Sequence, residues 1–420
     1  MRLLIAPHDL GIGGSQINAI DLAAGAAEAG HDVVVYGKEG PLVEYVESRG
    51  LEFVAARRLR YRPAPSRIAQ LASLARRRRL DLIHAYEWPP CLDAYYGAHL
   101  GGGVPLLCTV LSMSVSPYVP PSIPLMMGTE ALADEARQGH RAPVWTLEPP
   151  IDTVADSPSI DGAEIRRRHG IDDDELLAVT VSRLALELKL DALVEAIDAV
   201  DALAGELPLT LLVVGDGPAG PSLRARAEHV NRRLGREAVK FAGALADPRP
   251  AYAAADLVLG MGSSALRAMA IEKPVIVQGE RGFSMVFGPR TYDHFIRHGF
   301  WGLGDGHPNT HRLAEQMRDL LCDAERRAEL GRYGRETVAA RFSLERGTRF
   351  QLGVYEVAAS GPSPRRWGEA ATAAGRALRL ELDNHDPRTK RALSASEAAR
   401  LAEAAEAPSP AARSAPIATG

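Results

Sequence analysis

The sequence predicts an α/β protein of two doubly wound, Rossmann-like domains that face each other across a cleft. Three observations carry this reading. At 420 residues the chain is too long for one ordinary core and fits two domains plus a tail. Short apolar runs alternate with helical patterns, and the runs are continuous rather than alternating, as in strands covered on both faces. The alternation breaks at Glu148-Pro149-Pro150-Ile151-Asp152, where prolines exclude regular structure, and then restarts. Strand–helix alternation implies parallel strands joined by right-handed crossovers.

Taken in order, strands are expected at residues 3–7, 32–36, 51–55, 80–85, 105–111, 125–128 and 144–147, each a short apolar run. Helices are expected at 15–29, opened by Ser15 as a cap, and at 41–49, 66–78 and 129–138. Residues 1–150 form the first domain, with a linker at about 148–160. The second domain spans 151–342. Its strands fall at 176–182, 209–214, 239–242, 257–260 and 274–278. Its helices fall at 163–169, 190–203, 221–234, 263–271, 312–321 and 323–341. A closing helix follows at 343–358. Beyond it the composition turns to Ala, Pro, Arg and Ser, so 359–420 reads as a largely disordered tail with one short helix near 396–405.

Composition excludes several classes. Hydrophobic residues make up 46% and charged residues 24%, which suits a globular protein. The formal net charge of -4 provides no bulk field for nucleic acid or an anionic membrane. Cys91, Cys108 and Cys322 lie far apart without metal-type spacing, and buried inert thiols are expected for the first two. Met1-Arg2 leads straight into a strand, and no apolar run approaches the roughly 20 residues of a membrane span. A cytoplasmic protein without a transmembrane segment is expected; the oligomeric state stays open.

Candidate chemistry gathers where strands end. Gly11-Ile12-Gly13-Gly14-Ser15-Gln16 follows the first strand and opens the first helix, so backbone N–H groups there can meet an anion; a tight turn capped by Ser15 is the alternative. The run lacks the last glycine of a dinucleotide fingerprint, and no acidic residue ends the second strand. Arg183 ends a strand and Lys189 opens the next helix, where a cation is disfavoured unless it has an anion to bind. Gly215-Asp216-Gly217-Pro218 makes a sharp turn, with Gly215 expected among the donor contacts and Asp216 expected as a cap rather than a ligand contact. Gly262, Ser263 and Ser264 feed another helix start, where the serines can cap the helix or bind phosphate; Arg267, one turn later, can reach the same phosphate, and Glu280 ends the next strand. In the first domain, His84, Glu87 and Trp88 follow a strand end, where Trp88 could stack on a sugar; a buried, satisfied His84 is the alternative. Arg76–Arg79 closes a helix and reads as a solvated face, and Asp172-Asp173-Asp174 as a solvated turn rather than a metal site.

In their order and spacing these segments resemble the GT-B glycosyltransferases, most closely glycosyltransferase family 4, over residues 1–358. The likeness rests on Gly13-Gly14, Asp81-Leu82-Ile83-His84-Ala85, Arg183-Leu184 with its lysine, Gly215-Asp216-Gly217-Pro218, and Ala268-Met269-Ala270 before Lys273-Pro274. Tyr355 fits the family's closing helix. The resemblance implies that Arg183 and Lys189 hold the diphosphate of a UDP- or GDP-sugar. It implies that Gly14 lets the first loop approach the leaving group and that the Gly262–Ser264 turn meets the nucleotide. It further implies that residues 1–150 hold a small-molecule or glycan acceptor, at His84, Glu87 and Trp88, that 151–342 hold the nucleotide-sugar donor, and that transfer proceeds with retention, with no metal and no cofactor beyond the donor.

Three departures stand out. The family's pair of glutamates seven residues apart is missing, with Arg267 at the second place. Leu111 stands where a histidine follows Thr-Val, and the lysine is displaced by one residue, to Lys189. A guanidinium cannot accept a hydrogen bond from ribose, which leaves three possibilities: Glu280 takes that duty, the donor differs, or catalysis is lost. The short Gly-Met-Gly turn resembles that of lipid-linked N-acetylglucosaminyltransferases, which invert. A catalytically silent nucleotide-binding or partner protein and a GT-B sugar-nucleotide epimerase are the alternative functions.

Overall fold

A computed structural model of the chain describes residues 1–59, 61–306, 310–361, 366–385 and 387–406. The chain forms two compact units, Met1–Pro150 with Phe342–Arg391, and Ile151–Arg341 with Ala392–Gly420.

The first unit holds β1 (Arg2–Ala6), α1 (Gly14–Glu28), β2 (Asp32–Gly37), α2 (Val43–Ser48), β3 (Glu52–Ala55), α3 (Pro65–Arg78) and β4 (Leu82–Tyr86). A helical stretch follows, α4 (Trp88–Ala94), a π-turn at Tyr95–His99 and α5 (Leu100–Gly102). Then come β5 (Leu106–Val110), β6 (Leu125–Met127), α6 (Glu130–Gly139) and β7 (Val144–Thr146). Every strand pair is parallel, in the order β3-β2-β1-β4-β5-β6-β7. Leu3, Leu4 and Ile5 of β1 are fully buried because helices cover both faces of the sheet.

The second unit holds α7 (Ala163–Arg168), β8 (Leu176–Val181), α8 (Leu190–Leu203), β9 (Leu209–Val214), α9 (Gly220–Leu234), β10 (Val239–Gly243) and α10 (Arg249–Ala254). It continues with β11 (Leu257–Gly260), α11 (Ser263–Ala270), β12 (Val275–Gln278), β13 (Ser284–Val286), α12 (Tyr292–His298), α13 (Thr310–Leu321) and α14 (Ala324–Arg341). Its order is β10-β9-β8-β11-β12-β13, parallel except for the β12–β13 pair. Leu190, Leu193, Ile197 and Val200 of α8 seal one face.

In both sheets the strand order reverses once, between β1 and β4 and between β8 and β11. At such a switch point neighbouring loops part and leave room for a ligand at the carboxyl ends of the strands.

All twelve expected strands are present within two residues at either end. The helical stretch after β4, α10, β13 and α12 were not anticipated. α15 (Leu344–Ser360) returns to the first unit, and a side chain at Gly25 of α1 would lie 2.5 Å from Thr348. The expected disordered tail is corrected by α16 (Trp367–His385) and α17 (Pro387–Ala405). Ala373 and Ala377 of α16 pack on Leu92, and Leu401 and Ala404 of α17 join the core of the second unit. Alanine, arginine and leucine are strong helix formers, and the prolines stand outside these helices or at their first position. The proline-rich end, 408–416, lies outside the described residues.

Candidate functional site

In the second unit the switch point brings together the β8–α8 loop, the β9–α9 turn, the start of α11 and the end of β12. Arg183 is exposed after β8, and among the described residues its guanidinium makes no ion pair. Two backbone contacts hold its loop: Ser182 N–H donates to Val214 O at 2.9 Å, and Leu184 N–H donates to Asp216 O at 3.0 Å.

These contacts explain the glycines. Gly215 has φ +138°, and a side chain there would come within 1.8 Å of Ser182 O; at Gly217 it would come within 2.4 Å of Leu184 O. The turn therefore approaches protein backbone, and Gly215, expected among the donor contacts, spends its N–H on Gly243 O at 2.8 Å. Asp216 accepts from Gly217 N–H at 2.8 Å and does not cap α9, which begins at Gly220.

Lys189 stands at the N-cap of α8. With Thr180, Ser182, Gly260 and Gln278 it lines a hollow of about 230 Å³, mouth included. Burial pushes its ammonium down to about 8; the Arg183 charge acts in the same direction and Glu280 opposes both. Glu280 accepts from the backbone N–H of Leu188 at 3.2 Å, and Leu188 adopts the left-handed φ of +63°. The Glu280 carboxylate thus holds the loop that presents Lys189 and supplies the opposite charge beside it.

At the start of α11, Gly262 has φ +57° with no atom within 4 Å of its missing side chain, so conformation rather than crowding selects glycine there. Ser263 makes no side-chain hydrogen bond among the described residues. Ser264 corrects its expectation as a phosphate ligand: its hydroxyl donates to Val181 O at 2.9 Å and accepts from Tyr252 Oη at 3.0 Å. Arg267 is corrected too. Its Nη1 lies 3.1 Å from Asp156, a fully buried carboxylate in the linker, so the anion it meets belongs to the protein and it pins that linker.

In the first unit, Gly13 is the N-cap of α1 in extended conformation and Gly14 is the helix's first residue. A side chain on Gly13 would meet Gln16 Oε1 at 2.5 Å. Sequence reasoning passed over the neighbours that organise this loop. Asp9 accepts from Gly11 N–H and from Gln16 Nε2, both at 2.9 Å, and Gln16 Nε2 sits 3.1 Å from His8 Nε2. Burial works against the Asp9 charge, but these donors prevail and lower its pKa. The signal was available in His8-Asp9 directly after the first strand.

The acceptor candidates are corrected. His84 is fully buried, its Nδ1 2.7 Å from Tyr355 Oη and its Nε2 2.6 Å from Thr109 Oγ1. Burial lowers its pKa to about 3, so it is a neutral core histidine. Glu87, at φ +70°, spends its carboxylate on the N–H groups of Leu111 (2.8 Å) and Ser112 (2.9 Å) and on the Ser112 hydroxyl. Trp88 is half-buried, 4.6 Å from the Tyr118 ring, with the Arg62 guanidinium 5.2 Å from its centroid and the Leu92–α16 cluster against it, so much of its ring is engaged within the protein. Cys91 and Cys108 are both buried; the neighbouring Cys91 thiol together with burial pushes Cys108 well above the ordinary thiol range, and Cys108 Sγ donates to Glu87 O at 3.8 Å.

Among the described residues no three His, Cys, Asp or Glu side chains gather as metal ligands would, and no helix is long and apolar enough to cross a membrane.

Comparison with known proteins agrees with this architecture. Residues 12–118 match Glycosyltransferase Family 4, and residues 161–337 match Glycosyl transferases group 1. A glycosyltransferase of Rickettsia africae shares the fold at TM-score 0.70 and 14% identity, covering 86% of this chain and 99% of that one. HepE of Anabaena, solved with UDP, aligns at TM-score 0.67 and 20% identity over 85% of this chain and 100% of its own. WaaG, a glycosyltransferase involved in lipopolysaccharide biosynthesis, aligns at TM-score 0.58 and 17% identity over 86% and 100%. No curated protein sequence matches the chain. With one match in each half and two parallel sheets of this order, the chain is a GT-B glycosyltransferase resembling glycosyltransferase family 4.

Proposed function

We propose that the chain transfers a hexosyl group from a UDP-sugar to an acceptor hydroxyl, with retention at the anomeric carbon and without a metal. The observation that carries this is the pair of cations at the second switch point, Arg183 and Lys189. Arg183 is free of carboxylate partners among the described residues, and Lys189 is set beside it by Glu280. When the bond from the anomeric carbon to the diphosphate oxygen breaks, negative charge develops on the departing UDP. Two positive groups already in place stabilise that charge more than they stabilise the intact donor. The α11 N-terminus at Gly262 and Ser263 adds the positive end of a helix dipole. HepE has been solved with UDP-glucose, which supports UDP as the nucleotide, and GDP is the second candidate.

The test is thermal stabilisation by a panel of UDP-, GDP- and dTDP-sugars, followed by slow hydrolysis of each hit. A UDP-sugar that raises Tm and is hydrolysed is expected. Arg183→Ala should weaken donor affinity by about 1.5–3 kcal/mol. Unchanged affinity in that variant refutes the site. One observation favours a silent binder: Arg267, standing where the family has a carboxylate, is committed to Asp156. Donor binding with no turnover under any acceptor would establish that reading.

A further inference from the structure

The second unit carries one helix for which the donor reading has no use. Residues 392–405 of α17 belong to this unit. Ala404 is buried in its core and Leu401 packs against it. Arg226 of α9 is held by Asp198 of α8 through two contacts, at 2.6 and 2.7 Å, and its Nη1 donates to Glu406 O at 2.6 Å and to Ala404 O at 3.5 Å. Carbonyls that the end of α17 leaves without a helical partner are thereby satisfied. Arg400 is not among these contacts, so they seat the helix without it.

Seated in this way, α17 brings the half-buried Arg400 to Asp191, with Nη2 3.2 Å from Oδ1. Asp191 stands in the first turn of α8, two residues after Lys189. Its Oδ2 accepts from the backbone N–H of Arg281 at 3.3 Å. Glu280, the residue before, accepts from Leu188 N–H at 3.2 Å. Two loops therefore grip each other reciprocally, each offering a carboxylate to a backbone N–H of the other. Both N–H groups belong to residues in left-handed conformation, Leu188 at φ +63° and Arg281 at φ +56°. Neither is glycine, and such a conformation persists only where its surroundings hold it. The helix dipole accounts for an acidic residue in the first turn of α8. It does not account for Asp191 bridging Arg281 to a helix 209 positions away.

We infer that Arg400 is a positioning residue of the donor site. Through Asp191 it keeps the Glu280–Arg281 segment clasped to the Leu188–Lys189 loop, and so fixes Lys189 where the diphosphate arrives. This rests on the donor reading of Arg183 and Lys189. The carboxy-terminal helix is then part of the frame that presents the donor's cations.

The experiment measures UDP and GDP binding to the full chain by calorimetry, with the Tm of the unliganded protein recorded alongside. The variants are Arg400→Ala, Arg400→Lys, Asp191→Ala, the double Asp191→Ala/Arg400→Ala, and Arg183→Ala as the reference for the donor site. Arg400→Ala is expected to weaken the nucleotide about two- to fivefold, as for a single exposed ion pair, and Arg400→Lys to retain most of the affinity. Its Tm should fall by less than about 3 °C, which separates the loss of affinity from a loss of fold. Asp191→Ala separates positioning from charge. It removes a negative group beside a bound anion, which by charge alone would tighten the nucleotide; loss of the clasp weakens it instead. The double variant should bind no worse than Asp191→Ala, because the arginine acts through the aspartate. Unchanged affinity in Arg400→Ala, tighter binding in Asp191→Ala, or additive losses in the double variant overturns the inference. If Arg183→Ala weakens the nucleotide and Arg400→Ala does not, the donor site stands and this inference alone falls. A parent chain that binds neither UDP nor GDP overturns the donor reading, and this inference with it.

Discussion

Replacing Arg267 by alanine removes the guanidinium that faces Asp156. The Nη1 atom lies 3.1 Å and 3.3 Å from the two carboxylate oxygens; Asp156 is fully buried, and the arginine side chain is 24% exposed. At an effective dielectric of about 20 such a contact represents roughly 5 kcal/mol of attraction before desolvation is counted. Deleting one partner of a buried pair costs about 3–5 kcal/mol because the other charge stays behind. Arg249 also feels the Asp156 charge, which places the expected loss near the lower end, about 3 kcal/mol. For a unit of this size that corresponds to a fall in Tm of roughly 6–12 °C. Thermal unfolding with and without UDP-glucose is the assay, and Asp156→Asn in the same chain should return at least about 1 kcal/mol. The expected outcome is a less stable protein whose Tm still rises by the same increment with donor. An unchanged Tm together with a vanished donor increment would show that Arg267 faces the nucleotide and that its pairing with Asp156 is incidental.

Three further perturbations test other parts of the argument. Lys189 is charged below about pH 8 and neutral above, so affinity for UDP should fall about tenfold per pH unit above 8 and stay level in Lys189→Arg; calorimetry that finds no pH dependence there removes Lys189 from the site. Gly215→Ala places a methyl group 1.8 Å from Ser182 O and should lower stability by more than about 3 kcal/mol in urea unfolding. Gly235→Ala bears only its left-handed conformation, about 1 kcal/mol, so equal losses would contradict the backbone clasp. For His84 the folded pKa, about 3, lies below its unfolded value of 6.5. Its stabilisation is complete above pH 6.5 and is lost as the pH falls towards 3, at up to about 1.4 kcal/mol per unit. His84→Gln should flatten that slope in acid titrations, and an unaltered slope would assign the titration to another group.

The two sheets were legible because buried parallel strands leave continuous apolar runs, and Leu3–Ile5 or Leu209–Val214 can hardly be read otherwise. The site was legible in outline for a similar reason: Arg183, Lys189 and Glu280 all follow strand ends, and topology alone carries strand ends to one rim. What sequence could not supply was the partner of each polar group. Arg267 sits one turn into a helix in either reading, and only the folded linker brings Asp156 to it. Gly215 and Gly217 were legible as a sharp bend, whereas the backbone of the neighbouring loop that fills the space beside them was not. His84 follows the local pattern of a rim residue, but Tyr355, 271 positions later, closes over it. The tail misled through composition, since an alanine-rich segment is a helix whenever something covers one face.

That closure by Tyr355 also sets an order of events during synthesis. The first unit's sheet is complete by residue 150, but its α1 face and the Nδ1 of His84 wait for residues 344–360, which emerge only after residues 151–341 of the second unit. At about 5–20 residues per second that interval is roughly 10–40 s. Through that time the nascent amino-terminal half exposes the apolar strip of α1 on which Val354 and Tyr355 later settle. A fragment ending at residue 150 would keep that strip bare permanently, so the amino-terminal half is expressed most safely with the 342–360 segment rejoined to it.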